Sequence, residues 1–259
     1  MGVMNDLVRK FIRFRENMGM SLSLDRARYI WGRKVVDELD SSVKELLDTK
    51  YKRSDVVERK VKYFKDNYKS LLFLNWVKFI GISGSVSAGF ANDDDDIDVF
   101  IVVRDGCLWL YRGVLTLKGL FNGLFRRESH GESVMDMFCL NFIVEESGLC
   151  LDSDIFNFHE LMFLVPVFNI EYLKYIYSRN VWLVEDFFVK KELLRSRVRK
   201  DRGVSWVFRF GSWLSFWFQF VYMLVFRHEP NLDRLRENTK KGRIEFFPEG
   251  YKGEVLEKK

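Results

Sequence analysis

Residues 77–103 read VKFIGISGSVSAGFANDDDDIDVFIVV, and this stretch decides the fold. Its first part, VKFIGIS, is short and rich in β-branched residues, carries Gly81 and is followed by Gly84, the pattern of a strand running into a tight turn. Its last part, IDVFIVV, reads as a second strand. Between them SVSAG is suited to open a helix whose N–H groups bind an anion, with Gly84 letting backbone approach a phosphate and Ser85 adding a hydroxyl donor. Asp96 and Asp98 flank Ile97, and residues two apart in a strand share a face. Two carboxylates held side by side repel each other by on the order of 1 kcal/mol or more. The usual reason to hold such a pair at a strand's end is a divalent cation, and hard oxygen ligands suit Mg²⁺.

Working outward, SVMDMFCLNFIV (133–144) is apolar on both faces apart from Asp136 and Asn141, as expected of a strand inside a covered sheet. Asp136 would be a costly isolated charge there, so it is the expected third carboxylate if its strand neighbours that of Asp96 and Asp98. Glu128, Glu132 and Glu145 are candidate replacements that read more naturally as loop. Asp93, Asp94 and Asp95 read as a solvated loop. There is no GxxxxGK[ST] and no GxGxxG, which disfavours kinase-type or Rossmann nucleotide binding.

Taken together, a hydrophobic strand, Gly84-Ser85, a ten-residue spacer, then Asp96-Ile97-Asp98 resembles the signature of the DNA polymerase β-like nucleotidyltransferase superfamily. A later strand with one carboxylate, here Asp136 in VMDMF, is also similar to that family's pattern. The resemblance is specific over 77–103, extends more loosely to 144, and leaves the ends of the chain open. It implies that Gly84 and Ser85 grip the triphosphate of an NTP. It also implies that Asp96, Asp98 and Asp136 hold two Mg²⁺ (or Mn²⁺), with Asp136 a further candidate as base for the acceptor hydroxyl. The implied reaction moves a nucleoside monophosphate to a hydroxyl and releases pyrophosphate.

The chain has 259 residues, 47% hydrophobic and 31% charged, so it can bury a sizeable core and is not generally disordered. Its three prolines favour long helices. The net charge of +5 is uneven: residues 1–70 carry 17 Lys/Arg against 11 Asp/Glu, 71–150 carry 6 against 11, and 151–259 carry 19 against 15. An acidic centre in a basic frame suits metal and phosphate. Cys107, Cys139 and Cys150 show no CxxC spacing, which points to a reducing, intracellular compartment, and the three histidines show no zinc pattern. The first residues carry charges throughout and lack the apolar run of a signal peptide.

Apolar spacing predicts helices over 3–70, with Ser54 as an N-cap, over 106–125, and again from 155 onward. The segment 204–226 is strongly aromatic, with a basic run over 190–202 before it. Its polar residues Ser205, Arg209, Ser212, Ser215, Gln219 and Tyr222 recur at three and four and form one helical stripe. That predicts a helix buried on most sides, its aromatics serving as core or partner interface. Peripheral insertion into a bilayer and a true span are the alternatives.

The expected fold is therefore α/β (α+β), a small mixed sheet flanked by helices. The expected organisation is an N-terminal helical segment (1–70), a nucleotidyltransferase core (71–150) and a helical C-terminal region (151–259). The expected activity is nucleotidyl transfer to an acceptor left open between an RNA end, a protein and a small molecule, in a cytoplasmic protein with a membrane-peripheral alternative. The rival expectations are a non-catalytic nucleotide-binding descendant and a membrane-associated interaction protein using 190–227.

Overall fold

A computed structural model describes residues 2–122, 135–198, 206–226 and 232–245. Strand β1 (Val77–Ile82) pairs antiparallel with β2 (Ile97–Val103), and β2 runs parallel to β3 (Phe138–Glu145). The edge strands β4 (Val165–Phe168) and β5 (Arg243–Glu245) pair antiparallel with β1 and β3, giving the order β4-β1-β2-β3-β5. The fold is thus α+β with a mixed sheet, as the sequence predicts. The two outer strands interrupt the region expected to be helical from 155 onward. Their brevity hides them, and Pro166 is tolerated because β4 lies at an edge.

Helices α1 (Gly2–Asn17), α2 (Leu24–Trp31), α3 (Arg33–Asp37), α4 (Ser41–Lys44) and α5 (Asp55–Asn67) precede the sheet, and α6 (Gly84–Ala88) joins β1 to β2. Then α7 (Leu108–Asn122) follows β2, while α8 (Ile155–Phe163), α9 (Tyr172–Ser178) and α10 (Trp182–Glu185) come after β3. Finally α11 (Trp206–Phe226) and α12 (Leu232–Lys240) lead into β5. The Ser54 hydroxyl accepts from Val57 N–H at 3.3 Å, so it caps α5 as its position predicts.

Strand alternation splits the core into two layers. Ile97, Val99, Ile101 and Val103 of β2 pack with Val57 and Phe64 of α5, Leu115 of α7 and Phe216 of α11. Phe100 and Val102 face the other way, toward Phe11 of α1, Trp31 of α2 and Phe158 of α8. Asp98 shares this second orientation, at the strand's beginning.

Two expectations are corrected. β3 begins at Phe138, so Asp136 lies in the turn before it, with a left-handed φ of +60°; residues 133 and 134 fall outside the described part. A backbone held there cannot continue a strand ladder.

The second correction concerns α11, which is not buried on most sides. Of its polar stripe, buried Ser212 and Gln219 and half-buried Ser215 form the inner edge, Arg209 and Tyr222 are exposed, and Ser205 lies outside the described residues. The Ser212 hydroxyl accepts from Trp109 N–H at 3.1 Å, and the Ser215 hydroxyl and Gln219 amide donate to the Trp109 carbonyl at 2.8 and 2.9 Å. Arg112 donates to Gln219 Oε1 at 2.6 Å. Gly113 permits this approach, since a Cβ there would lie 2.9 Å from the Ser215 hydroxyl. Trp206, Phe210, Trp213, Leu214, Phe218, Val221 and Val225 are left exposed, Phe218 at 77%. No helix among the described residues is long and apolar enough to cross a membrane.

Candidate metal and phosphate site

The site forms where β1 leaves the sheet beside the start of β2. Ser83 N–H donates to the Asp98 carbonyl at 2.9 Å, extending the antiparallel ladder by one rung. Gly84 then turns with φ +62° into α6. A Cβ on Gly84 would lie 2.9 Å from Asp98 Cγ and would overlap the carboxylate. Only glycine meets both conditions, so the turn and the carboxylate are built against each other.

Asp96, Asp98 and Cys139 each place a ligand atom within 4.8 Å of the others. Ile97, between the two aspartates, is fully buried on the opposite face, as alternation requires. Cys139 arrives through the parallel register, in which it stands opposite Asp98. Just beyond, Phe100 pairs with Phe142, so β3 carries one extra residue there. Such a bulge twists a strand and re-aims its side chains next to the site.

Asp136 is not part of this group. Its Oδ1 accepts from Lys60 Nζ at 2.8 Å, in an ion pair whose lysine is fully buried. The same ammonium donates to the carbonyls of Asp93 and Asp95 at 2.9 and 2.7 Å. Three donors thus meet three acceptors, and the acidic loop is fastened to α5 and to the turn entering β3. No motif announces Lys60. The signal available was a lysine on the otherwise apolar face of α5 formed by Val57, Val61 and Phe64.

The loop carboxylates are also more than solvated. Asp95 Oδ2 accepts from Asn92 N–H at 2.9 Å and from the Ser85 hydroxyl at 3.3 Å, while Asp93 pairs with Arg59 at 2.7 Å. Ser85 therefore helps close the loop that delivers Asp96. Glu145 stands at the far end of β3, opposite Val103. Burial holds its carboxyl up at about 7, and Leu108 N–H donates to it. Glu128 and Glu132 lie outside the described residues.

Gly84→Ala is expected to cost about 1–3 kcal/mol of stability from the left-handed backbone alone. Denaturant unfolding measures that loss. The added methyl also displaces the Asp98 carboxylate, so divalent-metal stabilisation should weaken in the same variant.

In comparisons with protein-family models, with curated proteins and with solved structures, no match to this chain was found.

Proposed function

We propose that the chain is a metal-dependent nucleotidyltransferase that moves a nucleoside monophosphate from an NTP to a hydroxyl acceptor. The acceptor hydroxyl loses its proton to solvent as its oxygen bonds to the α-phosphorus, the bond from that phosphorus to the oxygen bridging to the β-phosphate breaks, and pyrophosphate leaves. One observation carries the reading: the Gly84 turn, suited to a phosphate, is packed directly on the Asp98 carboxylate, suited to a metal. The antiparallel β1–β2 pair with α6 between them and the parallel β3 alongside support it.

Asp96 and Asp98 supply hard oxygens for Mg²⁺ or Mn²⁺, and the Cys139 sulfur beside them tilts the donor set toward the softer Mn²⁺. Once bound, the cation would offset phosphate charge and polarise the reacting phosphorus. Gly84 and Ser85 orient the triphosphate. Lys60 and Asp136 hold the loop so that Asp96 and Asp98 stay on one face.

The test is incubation with each α-labelled NTP and Mg²⁺ or Mn²⁺, alone and with total RNA or lysate, for the native chain and for Asp96→Ala/Asp98→Ala. Metal-dependent label transfer confined to the native chain supports the reading. Transfer that survives in the double variant, or none with any NTP, overturns it. NTP binding without pyrophosphate release would instead assign the chain a non-catalytic, nucleotide-binding role.

A second reading, attachment to an anionic bilayer surface, is favoured by the inverted helix α11. Its exposed side carries Trp206, Phe210, Trp213 and Phe218, and exposed apolar patches mark interaction surfaces. Arg209, Arg236 and Lys240 line a cleft of about 750 Å³ beside it together with Trp213 and Trp217, and Arg236 lies 5.4 Å over the Trp217 ring. Aromatics at the headgroup level with cations along the rim match a peripheral, in-plane helix. The chain should co-sediment with phosphatidylserine vesicles at low salt and release at high salt. Trp213→Glu/Phe218→Glu should abolish this. Failure to bind at low salt, or self-association without vesicle binding, removes the reading.

A further inference from the structure

A second cluster of cations lies at the opposite end of α6 from Gly84. Arg15 of α1 is fully buried, yet among the described residues its only hydrogen bonds run from Nε and Nη2 to the Ser21 carbonyl at 2.9 and 2.7 Å. Its Nη1 is buried with no partner among the described residues. Arg26 of α2 stands beside it. The guanidinium carbons of Arg15 and Arg26 lie 3.8 and 4.8 Å from the centroid of the same ring, Phe163. Arg53 joins them on the rim of a cleft of about 390 Å³ that also takes in Tyr29, Tyr51 and Ser87.

Among the described residues no carboxylate pairs with Arg15, Arg26 or Arg53. The two acids at the cleft are otherwise placed. Asp25 is exposed, and Asp48 spends its oxygens on the Ser21 hydroxyl and on Lys50 N–H, both at 2.9 Å. Burial lowers the Arg15 guanidinium to about 9 and the nearby Arg26 charge pulls it the same way, while burial also lowers Arg26. The Phe163 face offsets part of that cost, but a ring carries no net charge to neutralise them. A buried charge such as Arg15, set beside a half-buried like charge, is normally matched by a counter-charge.

We infer that this cleft binds the phosphate group of a small molecule no larger than a nucleoside monophosphate, held by the forked guanidiniums of Arg15, Arg26 and Arg53. Guanidinium forks match phosphate oxygens in pairs. The cleft volume falls in the range of small-ligand sites, and Tyr29 and Tyr51 line it, Tyr29 with the Arg26 guanidinium 5.1 Å over its ring. The site needs no metal and is separate from Asp96 and Asp98.

Calorimetric titration in EDTA, with inorganic phosphate, pyrophosphate and adenosine monophosphate as separate probes, tests this. At least one probe should bind the native chain and raise its melting temperature. If adenosine monophosphate binds tighter than phosphate, the ligand is a phosphomonoester; equal affinities mean the free anion is recognised. Arg26→Gln/Arg53→Gln, both at partly open positions, should weaken binding at least about tenfold, or 1.4 kcal/mol. Arg15→Gln should do the same where it folds, and Asp98→Asn should bind as the native chain does. Absence of binding by all three probes at millimolar concentration overturns the inference. So does binding that ignores the arginine substitutions, or that is lost with Asp98. Loss of label transfer with intact phosphate binding would sink the transferase reading alone.

Discussion

Asp98→Asn is expected to lower metal-dependent label transfer by at least about a thousandfold while leaving the fold intact. The substitution keeps the side chain's size, so the contact with Gly84 survives and α6 still starts in place. What changes is charge. Asp96 and Asp98 lie within 4.8 Å of each other, where like charges repel by about 1 kcal/mol in water and about 3–4 at intermediate dielectric. Removing one charge relieves repulsion in the empty site and removes attraction in the metal-bound one, so stability and activity move independently. Without metal, denaturant unfolding should place the variant within about 1 kcal/mol of the native chain, as expected of a substitution that creates no cavity and no strain. With Mn²⁺ at a hundred times its dissociation constant, the native chain should gain about 2.7 kcal/mol and the variant almost nothing. A variant that kept both transfer and metal stabilisation would remove Asp98 from the site.

The contrast between Asp98 and Asp136 shows what the sequence can express. Asp96-Ile97-Asp98 is legible because strand alternation is a local rule, and the buried Ile97 bears it out. The Gly84 turn is legible because a positive φ selects glycine. Asp136 sits within an apolar run and by local pattern belongs to a strand. Its fate depended on Lys60, 76 positions earlier in the chain, and no local pattern encodes such a pairing. Cys139 entered the site through a parallel register, which fixes neighbours between strands that no short turn connects. Helix α11 departs from its expected orientation for a related reason. Periodicity puts Ser212, Ser215 and Gln219 on one edge, but a stripe does not say which side is wet. The unsatisfied backbone and side-chain groups of α7 around Trp109 turned it inward. The arginine cleft was beyond reach as well, since Arg15, Arg26 and Arg53 come from separate helical and loop segments and read singly as solvated charges.

Lys60→Met should be the most destabilising single change near the site, at about 3–5 kcal/mol. Methionine fills the volume of the lysine stem, so little cavity is created and the loss isolates the ammonium. Its removal strands three acceptors together: Asp136 Oδ1 and the carbonyls of Asp93 and Asp95. The carbonyls can turn toward water only by opening the acidic loop. Asp136 retains some exposure, at 22%, which discounts its share and places the expected value nearer the lower end of that range. For a chain of this size the change corresponds to a fall in melting temperature of roughly 6–15 °C. The loop is what carries Asp96 to its place, so divalent-metal stabilisation should weaken even under conditions where the variant is folded. Adding Asp136→Leu removes the stranded charge and should recover about half of the lost stability, with no recovery of metal binding. Recovery of both would mean that Lys60 acts on Asp136 alone. Recovery of neither would mean that the two loop carbonyls carry the whole effect.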